Sequence, residues 1–139
     1  HNFKIITIKP NTDFITKEYN LITAFEVFEH LEEPEEYFLY LLSKTNNALI
    51  FSVPNTGYIF HRLRLIFGYF PYQWKTFPGE HLRFWTYKDM KWWLSTYLGI
   101  DKKNFQVQCY ASISPSLNKL IPFLSPLLAK GLFIYVIKE

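Results

Sequence analysis

The sequence predicts an α/β fold in which helices cover both faces of a largely parallel sheet. Two short segments, residues 20–25 and 48–53, are mostly apolar, as strands buried on both faces of a parallel sheet are. Between them, Pro34 and the acidic residues after it are typical of a first helical turn, and we expect a helix over 34–44. A strand–helix–strand order with short connections favours a right-handed crossover, which makes the two strands parallel.

The composition is that of one folded domain over residues 1–139. Its 49% hydrophobic and 20% aromatic residues exclude a disordered chain, and its net charge of +3 gives little support for nucleic acid as a partner. The single cysteine, Cys109, excludes an internal disulfide and fits a reducing compartment, where we expect it to be a buried apolar residue. With no signal peptide and no apolar run of roughly 18 residues, the sequence predicts a cytoplasmic protein.

The N-terminal residues predict a further strand before the two described above. Residues 3–8 are rich in β-branched side chains and lead into a turn at Lys9–Asn11. The chain begins at His1 rather than at a methionine, so we expect that a segment upstream of it is missing.

The second half of the chain alternates helical and strand patterns. Thr86 is a good N-cap with Asp89 three residues later, which predicts a capping box at a helix start, and Gly99 is placed to end that helix. The aromatic residues 69–75 are expected to be irregular. The predicted elements are helices over 58–67 and 87–97 and strands over 105–110 and 131–137.

Three ionisable side chains stand where the strand over 20–25 ends. Glu26, Glu29 and His30 are spaced i, i+3 and i+4, which places them on one face of a helical turn. Open α/β sheets bind their ligands at the carboxyl ends of their strands. Two carboxylates and an imidazole at that place either hold a cation or perform acid–base chemistry. The alternative is a solvated helix start, where acidic residues are favoured by the helix dipole.

The segment Tyr19–Leu31, followed by Pro34 and by Ala48–Asn55, resembles the second half of class I S-adenosylmethionine-dependent methyltransferases. It is similar to the ubiquinone-biosynthesis O-methyltransferases and to methionine-biosynthesis W-like proteins. The resemblance covers about residues 15–138. It implies a partial Rossmann-like sheet with strands in the family order 4-5-7-6 plus one N-terminal strand, in which the seventh strand is antiparallel.

The Glu-x-x-Glu-His arrangement is also similar to the metal-binding motif of the small-RNA 2′-O-methyltransferases. That family has a second histidine before an aromatic-Trp-Thr segment, and His81 stands at the matching place here. The resemblance therefore implies Glu26, Glu29, His30 and His81 as ligands of a divalent Mg, Mn, Fe or Zn ion. The alternative is that His30 or His81 acts as a general base.

The resemblance implies S-adenosylmethionine as the cofactor, with contacts expected from Phe25, Glu26 and Phe28. The family binds it with a Gly-rich loop and an acidic residue that anchors the ribose, whereas none of the five glycines here is in a Gly-x-Gly context. We therefore expect the cofactor half of the site to lie upstream. The parent protein would be a methyltransferase acting on a small or lipid-like acceptor. The alternative is a non-catalytic remnant that serves as an interaction or dimerisation module.

The segment over residues 58–85 is expected to be a lid or insert. In the family this segment caps the substrate site, which implies Tyr58, Phe60, Arg62 and Trp74 as lid residues. Its aromatic and cationic side chains favour a small-molecule or lipid-like acceptor, and an amphipathic helix here would also suit a membrane surface. The alternative is a lid packed on the domain, with its arginines reaching outward.

The family sheet order leaves one edge of the strand over 20–25 without its usual neighbour. An unpaired apolar strand is prone to pair with another chain. We expect this edge to be covered by residues 3–8, by a second copy of the chain or by the N-terminal half of the parent protein.

Overall fold

A mixed four-stranded sheet organises the part of the chain that the computed structural model describes, residues 15–76, 78–112 and 124–138. The strands are β1 (Tyr19–Phe25), β2 (Thr45–Pro54), β3 (Phe105–Ser112) and β4 (Ala129–Ile137). Their order in the sheet is β1-β2-β4-β3, with β1 and β2 parallel and β4 antiparallel to both of its neighbours. This confirms the predicted order 4-5-7-6 with an antiparallel seventh strand. The strand predicted over residues 3–8 lies outside the described residues.

The helices begin and end close to the predicted residues. Thr86 and Asp89 form the predicted capping box at the start of α4, which continues into a π-helical turn, Trp93–Tyr97. Gly99 follows with a φ of 71°, in the left-handed region that favours glycine. The stretch predicted to be irregular contains one short helix, α3. The helices are α1 (Pro34–Ser43), α2 (Ile59–Ile66), α3 (Tyr72–Thr76), α4 (Tyr87–Trp92) and α5 (Ser125–Leu128).

The hydrophobic core lies on one face of the sheet, beneath α1 and α4. Phe28 packs edge-on against Phe51 of β2 with the ring centroids 4.8 Å apart, and Phe38 of α1 lies 5.4 Å from Trp93. The opposite face carries Phe25, which stacks on Phe133 of β4 and is about half exposed.

The turn after β2 is fastened to the start of β4 by Asn55. This side chain is fully buried, and its amide nitrogen donates to the carbonyl oxygens of Pro126 (2.7 Å) and Ala129 (2.8 Å). Its amide oxygen accepts from the backbone N–H of Gly57 at 2.9 Å. Every polar atom of the side chain therefore has a partner, and the carboxyl end of β2 is held rigidly where the following segment begins.

The edge of β1 stays a prediction. Within the described ranges β1 pairs with β2 alone, and Leu21 on that strand is about half exposed. The three expected partners for this edge all lie beyond those ranges. None of the helices in the described ranges has the length and apolar character needed to cross a membrane.

Candidate active site

Glu26 leaves β1 in a conformation that few residues other than glycine adopt, with a φ of 52°. A left-handed backbone here costs about 1–3 kcal/mol and persists only where its surroundings hold it. Its backbone N–H donates to the carbonyl oxygen of Ser52 on β2 at 3.1 Å, and its carboxylate accepts from the Ser52 hydroxyl at 2.7 Å. The strand therefore ends by aiming a carboxylate across the carboxyl edge of the sheet.

Tyr110 on β3 is the second group that fixes this carboxylate. Its hydroxyl donates to Oε1 of Glu26 at 2.9 Å. Burial and the Glu26 carboxylate raise the pKa of Tyr110 to about 12, so the phenol keeps the proton that it donates. Its ring covers Gly131 on β4, where a Cβ atom would lie only 2.2 Å from the ring carbon Cζ. Only glycine at this position leaves room for the tyrosine.

Glu29 lies in a single 3₁₀ turn, Phe28–His30, and its side chain is only 1% exposed. Burial, with a smaller contribution from the neighbouring Glu26, raises the pKa of Glu29 to about 7. Its Oε2 atom is buried and has no hydrogen-bond partner among the residues that the structure describes. A buried carboxyl oxygen without a partner costs free energy that a bound cation or a shared proton would recover.

The two histidines meet beside Glu29. The rings of His30 and His81 are 4.7 Å apart in an edge-on arrangement. Nδ1 of His30 lies 2.8 Å from the carbonyl oxygen of Glu80, which only accepts hydrogen bonds, so Nδ1 carries the proton. Nε2, on the other side of the ring, lies 3.7 Å from Oε1 of Glu29. Burial and the charge of His30 lower the pKa of His81, which favours its neutral form.

The backbone of Glu29 explains why a residue 52 positions later reaches this site. Its carbonyl oxygen accepts from the backbone N–H groups of Leu82 at 2.7 Å and Arg83 at 3.1 Å. The guanidinium group of Arg83 also donates to the carbonyl oxygen of Glu32. The segment after His81 is therefore bound along the 3₁₀ turn, and this contact fixes the histidine next to Glu29.

Three of the four predicted ligands come together. The donor atoms of Glu29, His30 and His81 all lie within 4.8 Å of one another. Glu26 borders this group and raises the pKa of Glu29, while its own Oε1 is engaged by Ser52 and Tyr110. Carboxylate and imidazole donors suit divalent transition metals, and the backbone carbonyl on Nδ1 of His30 is the usual partner of a ligating histidine. These residues fit a divalent cation.

The expected cofactor and lid residues are placed less uniformly. Phe28 is fully buried in the core, so its side chain packs and is not available to a cofactor, whereas Phe25 is half exposed near Glu26. Tyr58 is buried at the start of α2, where Nε of Arg62 donates to the Gly57 carbonyl oxygen at 2.8 Å. The remaining two expected lid residues, Phe60 and Trp74, are about half exposed.

A separate cleft of about 910 Å³ lies between α4, β3 and α5. Its described lining includes three cations, Arg62, Lys88 and Lys91, and no carboxylate. None of the four predicted metal ligands lines it. The buried acid and the two histidines therefore form a site apart from this cavity.

Sequence reasoning did not anticipate Ser52 and Tyr110. They lie on strands that meet Glu26 only through the sheet order and register, which the spacing of residues does not reveal. One signal was present in the sequence. Gly131 opens the predicted strand over 131–137, and a glycine within a strand often marks a close approach by another group.

The sequence of the chain matches a known protein family. A family described as a methyltransferase domain matches residues 4–97, a range that includes all four predicted ligands. No curated protein matches the chain.

Three solved structures resemble this one. Magnesium protoporphyrin IX methyltransferase from Synechocystis PCC 6803, with bound SAH, is 16% identical with a TM-score of 0.51, over 91% of this chain and 48% of its own. The small RNA methyltransferase HEN1 is 25% identical with a TM-score of 0.53, over 88% of this chain and 14% of its own. A SAM-dependent methyltransferase from Archaeoglobus fulgidus is 15% identical with a TM-score of 0.51, over 88% of this chain and 60% of its own. The chain thus spans less than two thirds of the length of each.

Proposed function

Because the chain belongs to the family of methyltransferase domains and has their Rossmann-like fold, we propose that it forms the acceptor side of a site that transfers a methyl group from S-adenosylmethionine. The observation that carries the proposal is the buried Glu29 carboxyl, whose Oε2 atom has no partner in the described part of the chain, beside two imidazoles at the carboxyl end of β1. Ligands of open α/β sheets bind at this edge. The acceptor would be an oxygen of a small or lipid-like molecule.

Glu29, His30 and His81 would hold a divalent cation, with Glu26 bordering the site. A cation there would lower the pKa of an acceptor hydroxyl and orient it toward the methyl donor. The chain's own residues support this role. Ser52 and Tyr110 fix the Glu26 carboxylate, and the Glu80 carbonyl fixes the tautomer of His30.

His81 has a second role available in the same arrangement. Its lowered pKa keeps the imidazole neutral at neutral pH, so it could accept the proton that the acceptor hydroxyl loses. A general base of this kind would work with or without a cation. Removing His81 should therefore reduce catalysis whether it is a metal ligand or a general base, but it should weaken metal binding only if it is a ligand.

The cofactor itself would be held mainly by residues upstream of those seen here. No glycine of this chain stands in a Gly-x-Gly context, and the similar structures are longer than this chain. Phe25 and Glu26, exposed where β1 ends, are the residues of this chain placed to border the cofactor. We propose that methyl transfer belongs to the parent protein rather than to these 139 residues alone.

The choice of acceptor rests on the insert. One similar structure is named for small RNA and another for magnesium protoporphyrin IX, so the names alone point to different acceptors. Half-exposed Phe60 and Trp74 with Arg62 favour a molecule that has an apolar body and an anionic or polar end. This favours the small or lipid-like acceptor over RNA.

Isothermal titration with Mn²⁺ tests the metal site directly. We expect one ion per chain, and we expect His30→Ala and His81→Ala each to weaken binding by about 100-fold, since each removes one of three protein ligands. Glu33→Gln is the matched control, because it removes a neighbouring acid that lies outside the group of ligands. Equal binding by all four proteins would rule out the proposed site.

Methyl transfer is tested with the full-length parent and S-adenosylmethionine labelled in its methyl group. We expect label to appear in small or organic-soluble products and His81→Ala to reduce kcat by about 100-fold or more. Cofactor binding by the parent without any transfer would favour the interaction module instead. Label found only in RNA would contradict the proposed acceptor.

A further inference from the structure

Helix α2 has its apolar side chains on the outside. Its one buried residue is His61, whereas Ile66 is 76% exposed and Phe67, the residue after the helix, is 72% exposed. Phe60 and Leu63 on the same helix are also exposed. A surface helix normally turns its apolar stripe to the core, so this orientation leaves apolar surface for a partner outside the described residues to cover.

The exposed apolar surface continues from α2 into α3. Arg64 makes this connection rigid: its Nε donates to the carbonyl oxygen of Phe70 at 2.9 Å, and its guanidinium lies 4.0 Å from the centre of the Tyr72 ring. Phe70 in turn contacts Trp74, with 5.5 Å between ring centroids. We call this surface the α2–α3 face and define it by Phe60, Leu63, Ile66, Phe67, Phe70 and Trp74.

The charged side chains of the segment that carries the α2–α3 face have one sign. The sequence contains no aspartate or glutamate between Glu36 and Glu80. Arg64 lies in the last turn of α2 and Lys75 in the last turn of α3, whereas Arg62 lines the cleft beside α4. An apolar surface whose own segment carries only cations is complementary to a surface that combines hydrocarbon with negative charge.

We propose that the α2–α3 face binds the surface of a membrane that contains anionic lipid. The apolar side chains would enter the boundary between headgroups and acyl chains, where tyrosine and tryptophan are also favoured. Arg64 and Lys75 would contact lipid phosphates, and Arg64 is already oriented by the rings of Tyr69 and Tyr72. The chain would thus lie on a membrane surface through this face.

A second copy of the chain fits the same face less well. A symmetric dimer would bring each face against its own copy, and Arg64 and Lys75 would then meet cations rather than acids. Nucleic acid could stack bases on the aromatic side chains of the face, but it fits less well because it would leave the aliphatic Leu63 and Ile66 uncovered. Both occupants remain outcomes of the test.

This proposal stands apart from methyl transfer, because binding to a vesicle requires neither the cofactor nor the polar site. The two are physically adjacent, since Phe70 of the face lies 6.4 Å from Phe84, three residues after His81. A membrane-bound insert would present the site to acceptors dissolved in the lipid. The test below therefore measures binding alone.

The test is co-sedimentation of the purified protein with vesicles of two compositions, phosphatidylcholine alone and phosphatidylcholine mixed with phosphatidylglycerol. We expect binding to the mixed vesicles to be at least about tenfold stronger, and the difference to shrink at high salt, because each cation near the surface adds to the attraction. This comparison needs no variant and so does not depend on the folding of one.

Paired variants then assign binding to the face. Ile66→Ser with Phe67→Ser should weaken binding to mixed vesicles by about tenfold or more, since two apolar side chains that would enter the lipid are lost. The control is Leu39→Ser with Trp92→Ser, which removes two apolar side chains that are about half exposed and lie outside the face. No binding to mixed vesicles, or equal losses in both pairs, would overturn the proposal. So would a dimer, seen by sedimentation, that only the first pair abolishes.

Discussion

The ends of the two parallel strands β1 and β2 lead to opposite kinds of surface. After β1 the chain buries a carboxyl group, Glu29, and surrounds it with oriented partners. After β2 it exposes a row of apolar side chains on the α2–α3 face and orients them through Arg64. Both arrangements cost free energy in the isolated chain, one through burial of a charge and the other through exposure of hydrocarbon. We therefore propose that each surface is completed by a group outside the described residues, a cation or acceptor after β1 and a membrane after β2.

The two surfaces should therefore respond differently to pH and to substitution. At the polar site, burial raises the pKa of Glu29, so the stability of the fold should depend on pH. On the α2–α3 face no described acid is present to titrate, so its behaviour should depend on ionic strength and lipid rather than on pH between 4 and 8 or so. The following predictions use this difference, from the largest effect to the smallest.

The largest effect should be a fall in stability as the pH rises through the titration of Glu29. Its pKa is about 7 in the folded chain, against 4.5 for an ordinary glutamate. Below both values the carboxyl is protonated in either state and burial costs little. Between them the folded state must hold a proton that the unfolded state releases, so the free energy of unfolding falls, by about 3 kcal/mol at most. Above pH 7 or so the loss is complete.

Chemical denaturation from pH 4 to 8 or so, with a chelator present, measures this fall. Glu29→Gln is the informative variant because it keeps the shape and removes the titration. The difference in stability between wild type and Glu29→Gln isolates this one group from other acids. If both proteins show the same pH profile, Glu29 is ionised in the folded state and the site is not the strained one described here.

Gly131→Ala should have the next largest effect. The new methyl group would sit 2.2 Å from the Tyr110 ring, so the tyrosine must move and its hydrogen bond to Glu26 is lost. We expect a loss of about 2 kcal/mol in the free energy of unfolding, typical of overpacking at a site that cannot relax. Gly68→Ala is a useful comparison, since its Cβ would meet no atom within 4 Å although its φ is +77°.

A combined variant separates the clash from the backbone. Gly131→Ala together with Tyr110→Ala removes the ring that collides with the new methyl group. If the clash is the cause, the double variant should lose less stability than the sum of the two single variants, by more than about 0.5 kcal/mol. Additive losses would show that the glycine is needed for its own backbone.

The fold could be predicted from the sequence further than the site could. Apolar segments, Pro34 and the Thr86–Asp89 pair are local signals, and the strand order followed from a resemblance that covers nearly the whole described chain. His81 was also within reach, because its motif is local. Tyr110 was not, because its contact with Glu26 depends on β3 lying beside β4 in a register that places the tyrosine opposite Gly131.

The orientation of α2 shows a second limit of prediction. Residues 58–67 are apolar at nearly every position except His61, Arg62 and Arg64, so a helix was predicted correctly. A pattern that is apolar on several sides does not reveal which side faces inward. The buried residue turned out to be the histidine. Burial and the charge of Arg64 lower the pKa of His61, which keeps it neutral inside.

Tyr110→Phe should have a smaller effect than Gly131→Ala. It removes one hydroxyl and leaves the ring over Gly131, so we expect a loss of about 1 kcal/mol in stability, the usual value of a single hydrogen bond. Mn²⁺ affinity should also fall, by about tenfold, because the Glu26 carboxylate beside the site is then held by Ser52 alone. Unchanged affinity with the same loss of stability would make Tyr110 a packing residue only.

The smallest effect on stability should come from the α2–α3 face itself. Ile66 is 76% exposed, so Ile66→Ser removes little buried surface and should change the free energy of unfolding by less than about 0.5 kcal/mol. Thermal unfolding of wild type and variant without vesicles measures this, with Leu39→Ser on α1 as the control. A loss of about 2 kcal/mol would mean that Ile66 is buried by another part of the protein. The surface that follows β2 would then be covered by the protein itself rather than by a membrane, whereas the polar site that follows β1 would still need a ligand.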